Sequence, residues 1–283
     1  MLNVNIETFI GCDCAYDEAD IVLYGAPFDS TASYRPGARF GSAAIRHESY
    51  GLETYSPYQD RDLGEIRVFD SGDMELCFGS TEMALAAIEE RAGEILKDGK
   101  LPFLIGGEHL VTLGAMRAVV NKYPDVHVIH FDAHADLRDD YLGVKLSHAC
   151  VMRRCHELTG DGRIYQFGIR SGERSEFYWA REGHTRLHPF DFEGLEEALL
   201  ELGRVPVYFT VDLDVLDPCG FPGTGTPEAG GVSFPVLLDA IRKVCGSANV
   251  VGCDVNELAP ALDATGASTA LACKLVREFL LAL

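Results

Sequence analysis

What most constrains the fold of this chain is an alternation. Short apolar, β-branched runs recur along it: IVLYGAP at 21–27, LPFLIGG at 101–107, VHVIHFD at 126–132, RIYQFGI at 163–169, VPVYFTVD at 205–212 and NVVGCDV at 249–255. Longer stretches of helical periodicity lie between them. Strands that read as continuous apolar runs are covered on both faces, so the pattern predicts an α/β fold, a parallel sheet with helices on either side. Ser80 is placed to cap a helix whose Ala84, Ile88, Ala92 and Ile95 form one apolar stripe ending near Gly99. Ser233 is placed to cap another, with Leu237, Ile241 and Val244 inward. These positions are core, and no internal repeat is present.

The chain has 283 residues, 47 % of them hydrophobic and 24 % charged, enough to bury a large core. No Pro/Ser-rich linker, charge block or low-complexity tract marks a boundary, so residues 1–283 are expected to form one domain. No apolar run approaches the roughly 20 residues of a membrane span, and the amino terminus lacks the basic-then-apolar order of a secretion signal. A soluble, cytoplasmic protein is expected. Nine cysteines, an odd number scattered over strand-like and helix-like segments, suit a reducing compartment better than a disulfide framework. Cys12-x-Cys14 has no second pair to complete a zinc site. A formal net charge of -20 would repel nucleic-acid phosphates and is compatible with a cationic substrate.

Polar residues crowd the ends of the apolar runs. Asp132, His134 and Asp136 occupy alternate positions after VHVIHFD and are expected to point one way at the carboxyl edge of the sheet, where ligands bind. Asp212 and Asp214 repeat the spacing after VPVYFTV. LPFLI runs into Gly106-Gly107, read as a tight turn that aims His109 at the same edge. One Asp-x-His alone is more often a surface turn; the assignment rests on three strand ends agreeing. Four carboxylates gathered in a low-dielectric cleft repel and would take up protons unless cations neutralise them. Two divalent cations balance four negative charges, whereas one leaves the site at minus two. If two aspartates bridge, six residues give each metal four ligands and leave room for a shared water. Oxygen-rich ligation with one imidazole per metal favours Mn2+, ahead of Mg2+, Co2+ or Zn2+. Such a pair activates water, so hydrolysis is the natural reaction class.

Four segments carry a family resemblance. GGEH at 106–109, DAHAD at 132–136, DLDVLDP at 212–218 and NELAP at 256–260 resemble, in order and spacing, the motifs of the ureohydrolases, the arginase and agmatinase family. RPGARFG at 35–41, GIRS at 168–171 and PGTGTPEAGG at 222–231 extend the similarity over most of the chain. The resemblance implies a three-layer α/β/α fold with a mostly parallel eight-stranded sheet, assembly as a homo-oligomer (trimer or hexamer), and two Mn2+ per chain that serve hydrolysis of guanidino compounds to urea and an amine. It implies His109, Asp132, Asp136 and Asp212 as ligands of one manganese and Asp132, His134, Asp212 and Asp214 of the other. In the family's reaction a hydroxide bridging the metals attacks the guanidinium carbon, and the residue matching Asp136 passes a proton to the departing amine. Glu257 matches the carboxylate that grips the guanidinium, a planar cation suited to bidentate pairing. His148, in LSHAC, matches a histidine near the substrate that can shuttle protons. Apart from the resemblance, these two read as a surface glutamate and a loop histidine. His127 and His130 lie within a strand and read as core or supporting residues. Arg170 and Asp217 read as loop-shaping, and the glycines at 223, 225, 230 and 231 lack the Walker lysine of a phosphate cradle.

The polar Asn/Ser/Thr-rich loop with which arginases read the α-carboxylate and α-amine of arginine is missing; the segment is LRDDYLGVKLSHAC. The chain instead resembles the shorter bacterial type that acts on agmatine, giving urea and putrescine. Glu108, Leu110, Cys150 and Ser42 depart from frequent choices in that group. Rival readings are hydrolases of guanidinobutyrate, guanidinopropionate, free guanidine or arginine, and formiminoglutamase, with Arg138 a possible anchor for a substrate carboxylate. A zinc deacetylase of related fold, including those acting on acetylpolyamines, would need an adjacent His-His pair, which the sequence lacks. A non-catalytic relative would have lost ligands, and all six are present. The segments near 137–147 and 173–187 are expected to form a flexible pocket mouth.

Overall fold

The computed structural model describes residues 7–283. Strand β1 (Ile21–Gly25) is followed by helix α1 (Gly41–Ser49), a hairpin of two short strands, β2 (Tyr55–Ser56) and β3 (Arg61–Asp62), and strand β4 (Val68–Asp73). Strands and helices then alternate: α2 (Thr81–Lys97), β5 (Leu101–Ile105), α3 (Val111–Lys122), β6 (His127–Phe131), α4 (Val151–Thr159), β7 (Ile164–Ile169), α5 (Arg174–Trp179) and β8 (Arg186–Pro189). The chain ends with α6 (Leu195–Leu202), β9 (Pro206–Asp212), α7 (Phe234–Ser247), β10 (Asn249–Asn256) and α8 (Ala267–Ala282). Eight strands form one sheet in the order β4-β1-β5-β10-β9-β6-β7-β8, and every pairing in it is parallel.

Two apolar cores follow from the pleat. Ile21, Leu23, Phe103, Ile129 and Phe209 face one side, with α1, α6, α7 and α8 packed over them. Val22, Tyr24, Leu104, Val128 and Tyr208 face the other, beneath α2, α3 and α4. This is the three-layer α/β/α arrangement expected. Ser80 caps α2 by accepting from the Met83 amide at 3.3 Å, and Ala84, Ile88, Ala92 and Ile95 are all buried. Ser233 occupies the residue before α7 but its side chain makes no cap hydrogen bond, a correction to the sequence reading; Pro235 in the first turn lacks an amide to offer. All nine cysteines are free. No helix among the described residues is long and apolar enough to cross a membrane.

The sheet delivers its polar residues at one edge. Its four central, adjacent strands are β5, β10, β9 and β6, and their carboxyl ends lead into His109, Glu257, Asp212-x-Asp214 and Asp132-x-His134-x-Asp136 respectively. That is the crevice where parallel α/β sheets bind ligands.

Candidate metal centre and active site

The six sequence-predicted ligands converge. His109 Nδ1 lies 3.0 Å from Asp132 Oδ2, 3.1 Å from Asp212 Oδ2 and 3.6 Å from Asp136 Oδ2. His134 Nδ1 lies 3.0 Å from Asp214 Oδ2 and 3.6 Å from Asp132 Oδ1. Asp132 thus faces both imidazoles. Ligating atoms of His109, His130, Asp132 and Asp136 form one cluster that could hold a metal, and those of Asp132, His134 and Asp214 another.

The local backbone differs from the expected pleat. Strand β6 stops at Phe131, and Asp136 adopts left-handed backbone with φ 54°. Asp214 sits in a 3-10 turn, Leu213–Val215. Convergence therefore comes from tight loops rather than from alternation along a strand. Nor do Gly106 and Gly107 have a left-handed φ. They are required for close approach instead: a Cβ on Gly106 would meet Asn256 Oδ1 at 1.8 Å, and one on Gly107 would meet the Phe28 carbonyl at 1.9 Å. Stripping both positions to glycine lets β10 and the Phe28 loop close around the turn that carries His109.

Backbone amides fix the carboxylates. Asp132 Oδ1 accepts from the His134 amide at 2.6 Å, Asp212 Oδ1 from the Asp214 amide at 2.8 Å, and Asp214 Oδ1 from the Ala133 amide at 3.1 Å. In each case the second oxygen faces the imidazoles. His109 Nε2 is 2.8 Å from Thr210 Oγ1. The buried Nδ1 has no hydrogen-bond partner, and in the neutral ring with Nε2–H donated to Thr210 it is the nitrogen that offers a lone pair. A buried, orphaned imidazole nitrogen among carboxylates fits a cation, and the donor set fits a hard or borderline one.

Electrostatics point the same way. Burial opposes charge on His109, but Asp132 and Asp212 outweigh it and hold the ring well above its ordinary pKa. Burial also disfavours charge on His134, again overcome by Asp214 and Asp132. Asp136 and Asp212 are pushed well above the usual carboxylate range, by burial and then by neighbouring aspartates. Asp132 is buried as well, yet His130, His109 and His134 drive it down.

A polar row runs beneath the cluster. Gln166, His130, Thr210 and Asp254 are in register across β7, β6, β9 and β10. His130 Nε2 bonds Asp132 Oδ2 at 2.7 Å and its Nδ1 bonds Gln166 Nε2 at 3.1 Å, which makes His130 a support for Asp132. His127, the first residue of β6, is far from the cluster's end of the strand and has its ring centroid 6.0 Å from that of Tyr165. Asp254 accepts from Tyr208, Thr112 and Asn256 at 2.6, 2.8 and 2.7 Å.

Above the cluster is a cavity of about 250 Å³, lined among others by His109, His134, Asp136, His148, Glu176 and Glu257. Glu257 is not a surface residue. It is buried, left-handed at φ 69°, with Oε1 accepting from the His109 amide at 2.7 Å. Burial, Asp212 and Glu108 raise its pKa well above the usual range. His148 is tied by Ser33 Oγ at 3.2 Å from Nε2 and by its amide to Thr31 Oγ1 at 3.0 Å. Burial lowers its pKa to about 4. Thr31 in turn donates its amide to the buried Glu108 at 2.9 Å.

Sequence reasoning missed Glu176, Ser33, Tyr141 and Thr226, which also line the cavity. The stretch 173–187, expected to be flexible, is largely helical, with α5 continuing into a π-helical turn at Ala180–His184. Glu176 closes a capping box and accepts the Leu137 amide at 2.8 Å, so it joins α5 to the loop after the cluster. Arg138 is 3.2 Å from Glu173 and 3.6 Å from Glu176, its charge already answered. Arg170 donates to the carbonyls of Asp214 and Glu228, both at 2.8 Å, and Asp217 accepts the amides of Cys219 and Gly230, both at 2.9 Å; both shape loops as expected.

Comparison with known proteins agrees with this geometry. Residues 19–282 match the arginase family. An agmatinase of Bacillus anthracis is 48 % identical over 277 residues, 97 % of this chain and 96 % of that one. The N(1)-aminopropylagmatine ureohydrolase of Thermococcus kodakarensis is 41 % identical over 251 residues, covering 86 % of this chain and 84 % of its own. The crystal structure of a Clostridium difficile protein superposes with a TM-score of 0.93 at 48 % identity, over 95 % of this chain and 98 % of that one. A parallel eight-stranded sheet, a buried His/Asp cluster at its carboxyl edge and a match over nearly the full length establish that the chain belongs to the arginase family of ureohydrolases.

Proposed function

We propose that this chain is an agmatinase-type hydrolase that cleaves agmatine to urea and putrescine with two Mn2+ bound by His109, Asp132, His134, Asp136, Asp212 and Asp214. The observation that carries the reading is the buried His109 Nδ1, unpartnered among three aspartates while its other nitrogen is held by Thr210. When bound, the metals supply Lewis acidity that makes water nucleophilic at neutral pH.

The chain's own residues account for the rest. Glu257 lies beside the cluster with one oxygen committed to a backbone amide, which leaves the other to hold the guanidinium carbon near the metals. Asp136 accepts a proton from the attacking water and returns it to the departing amine. His148, neutral above about pH 4, can pass protons between the cleft and bulk water. A cavity of about 250 Å³ suits a short linear guanidino compound rather than a macromolecule. With Arg138 paired to Glu173 and Glu176, the cleft offers, among the described residues that line it, no unpaired Arg or Lys to a substrate carboxylate, which favours agmatine over guanidinobutyrate, arginine or formiminoglutamate.

The family resemblance supports the remainder of the proposal: residues 1–283 as one catalytic unit, a homotrimer or homohexamer, in the cytoplasm. The test is urea release from agmatine, N1-aminopropylagmatine, arginine and guanidinobutyrate by Mn2+-loaded protein. Agmatine should have the highest kcat/KM; a higher value for any other substrate refutes the specificity, and no urea from any refutes the chemistry. One zinc per fully active chain would instead favour an amide hydrolase.

A further inference from the structure

A second group of metal-ligating side chains lies at the opposite end of the sheet. His156 stands near the end of α4, Asp161 in the turn before β7, and His184 in the π-helical turn before β8. All three precede the amino ends of β7 and β8, whereas the reaction centre lies beyond the carboxyl ends. The six residues of β7 alone separate those two edges by roughly 20 Å.

The three converge on one atom. His156 Nε2 is 2.7 Å and His184 Nδ1 2.5 Å from the same oxygen, Asp161 Oδ1. One ligand atom from each lies within 4.8 Å of the others. The backbone holds them: the Gly160 amide bonds the His156 carbonyl at 2.7 Å and the Gly162 amide the His184 carbonyl at 3.0 Å. Gly160 and Gly162 have φ 87° and 72°, so Asp161 sits between two positions that favour glycine. The imidazoles are also fixed. His184 stacks on Trp179 with centroids 4.4 Å apart and planes 17° apart, and His156 meets the same ring perpendicularly at 4.6 Å. Glu182 Oε2 lies 3.8 Å from His184 Nε2, on the nitrogen away from Asp161.

We propose that His156, Asp161 and His184 form a separate site for a borderline divalent cation of the zinc and nickel class, which clamps the β7–β8 edge of the sheet. Two imidazoles and one carboxylate from rigid segments are a donor set for such ions, with water completing the coordination. Ligands around a tetrahedral ion with bonds near 2.0 Å are spaced by roughly 3.3 Å, so binding opens the present contacts by less than an ångström. Asp161, 67 % exposed, has room for that rotation. The hydrogen bonds between the imidazoles and Asp161 hold the place until metal displaces them.

Trp179 is the sole tryptophan of the chain and reports on this site directly. The experiment is a Ni2+ titration of Mn2+-loaded protein followed by tryptophan fluorescence, with His156→Gln and Asp161→Asn variants in parallel. Both leave the Trp179–His184 stack in place, and Asp161 is on the surface, so its variant should fold. Saturable quenching at one Ni2+ per chain, reversed by Zn2+ and weakened roughly tenfold or more in each variant while urea release is unchanged, supports the site. Quenching that never saturates, or that saturates in both variants at the same Ni2+ concentration as in the wild type, overturns it. The outcome does not depend on which guanidino compound is the substrate.

Discussion

In the proposed reaction Asp136 has two tasks: to offer a ligand oxygen near His109, and to carry a proton. Its left-handed backbone (φ 54°) is unusual for a residue with a side chain, though aspartate and asparagine tolerate it better than most. Asp136→Asn therefore keeps the local conformation while removing the charge. We expect kcat/KM for urea release to fall by roughly 10²–10⁴-fold with an unchanged circular dichroism spectrum; full turnover in this variant would contradict the proposed role. His148 makes a different prediction, set by burial. Its folded pKa of about 4 lies below the 6.5 of the exposed ring. Between these values the unfolded chain binds a proton that the folded ring refuses, so stability rises with pH across the window and is lost as pH falls through it. In urea denaturation, His148→Gln should flatten the slope of unfolding free energy between about pH 4 and 6.5. At this scale the clustered side chains themselves were legible because chemistry-bearing residues were bunched after apolar runs. The mechanism of their convergence was not. Alternate spacing suggested a pleat, but the strands stop at Phe131 and Asp212, and the carboxylates are aimed by hydrogen bonds to amides two residues away.

Among elements, the six central and near-central strands were visible as apolar runs, and the two edges were not. β4 reads VFDSGD and β8 reads RLHP, each partly exposed, so neither produces the continuous apolar signal of a strand covered on both faces. The polar row was equally hidden, because Gln166, His130, Thr210 and Asp254 are neighbours only through strand register. One clue was available: Thr210 and His130 each stand two residues before an aspartate of the cluster and share its parity. Thr210→Val keeps the shape and removes the partner of His109 Nε2. Mn2+ affinity, read by titration of the metal-stripped protein, should weaken by about 10–100-fold with the fold intact. Ser80→Ala tests the capping argument away from the site. Loss of its bond to the Met83 amide should lower the unfolding free energy by about 1 kcal/mol in chemical denaturation without altering urea release.

For the molecule as a whole, acidity has a focus. The formal charge of -20 is a property of composition, but Asp132, Asp136, Asp212, Asp214 and Glu257 concentrate part of it on one rim of the sheet. Cation binding there should stabilise the folded state by mass action, about 2.7 kcal/mol for each site filled at one hundred times its Kd. Chelation should accordingly lower Tm in calorimetry, and Mn2+ should restore both Tm and activity; an unchanged Tm would mean that the cluster is stable without added charge.

The amides that pin one oxygen of Asp132, Asp212 and Asp214 have a consequence beyond geometry. Because the polypeptide, not the ion, casts the mould, little rearrangement accompanies loading, and several divalent ions of similar radius can enter the same cast. Selection among them then passes from the protein to the supply of each ion, and activity becomes a gauge of which divalent ion is at hand.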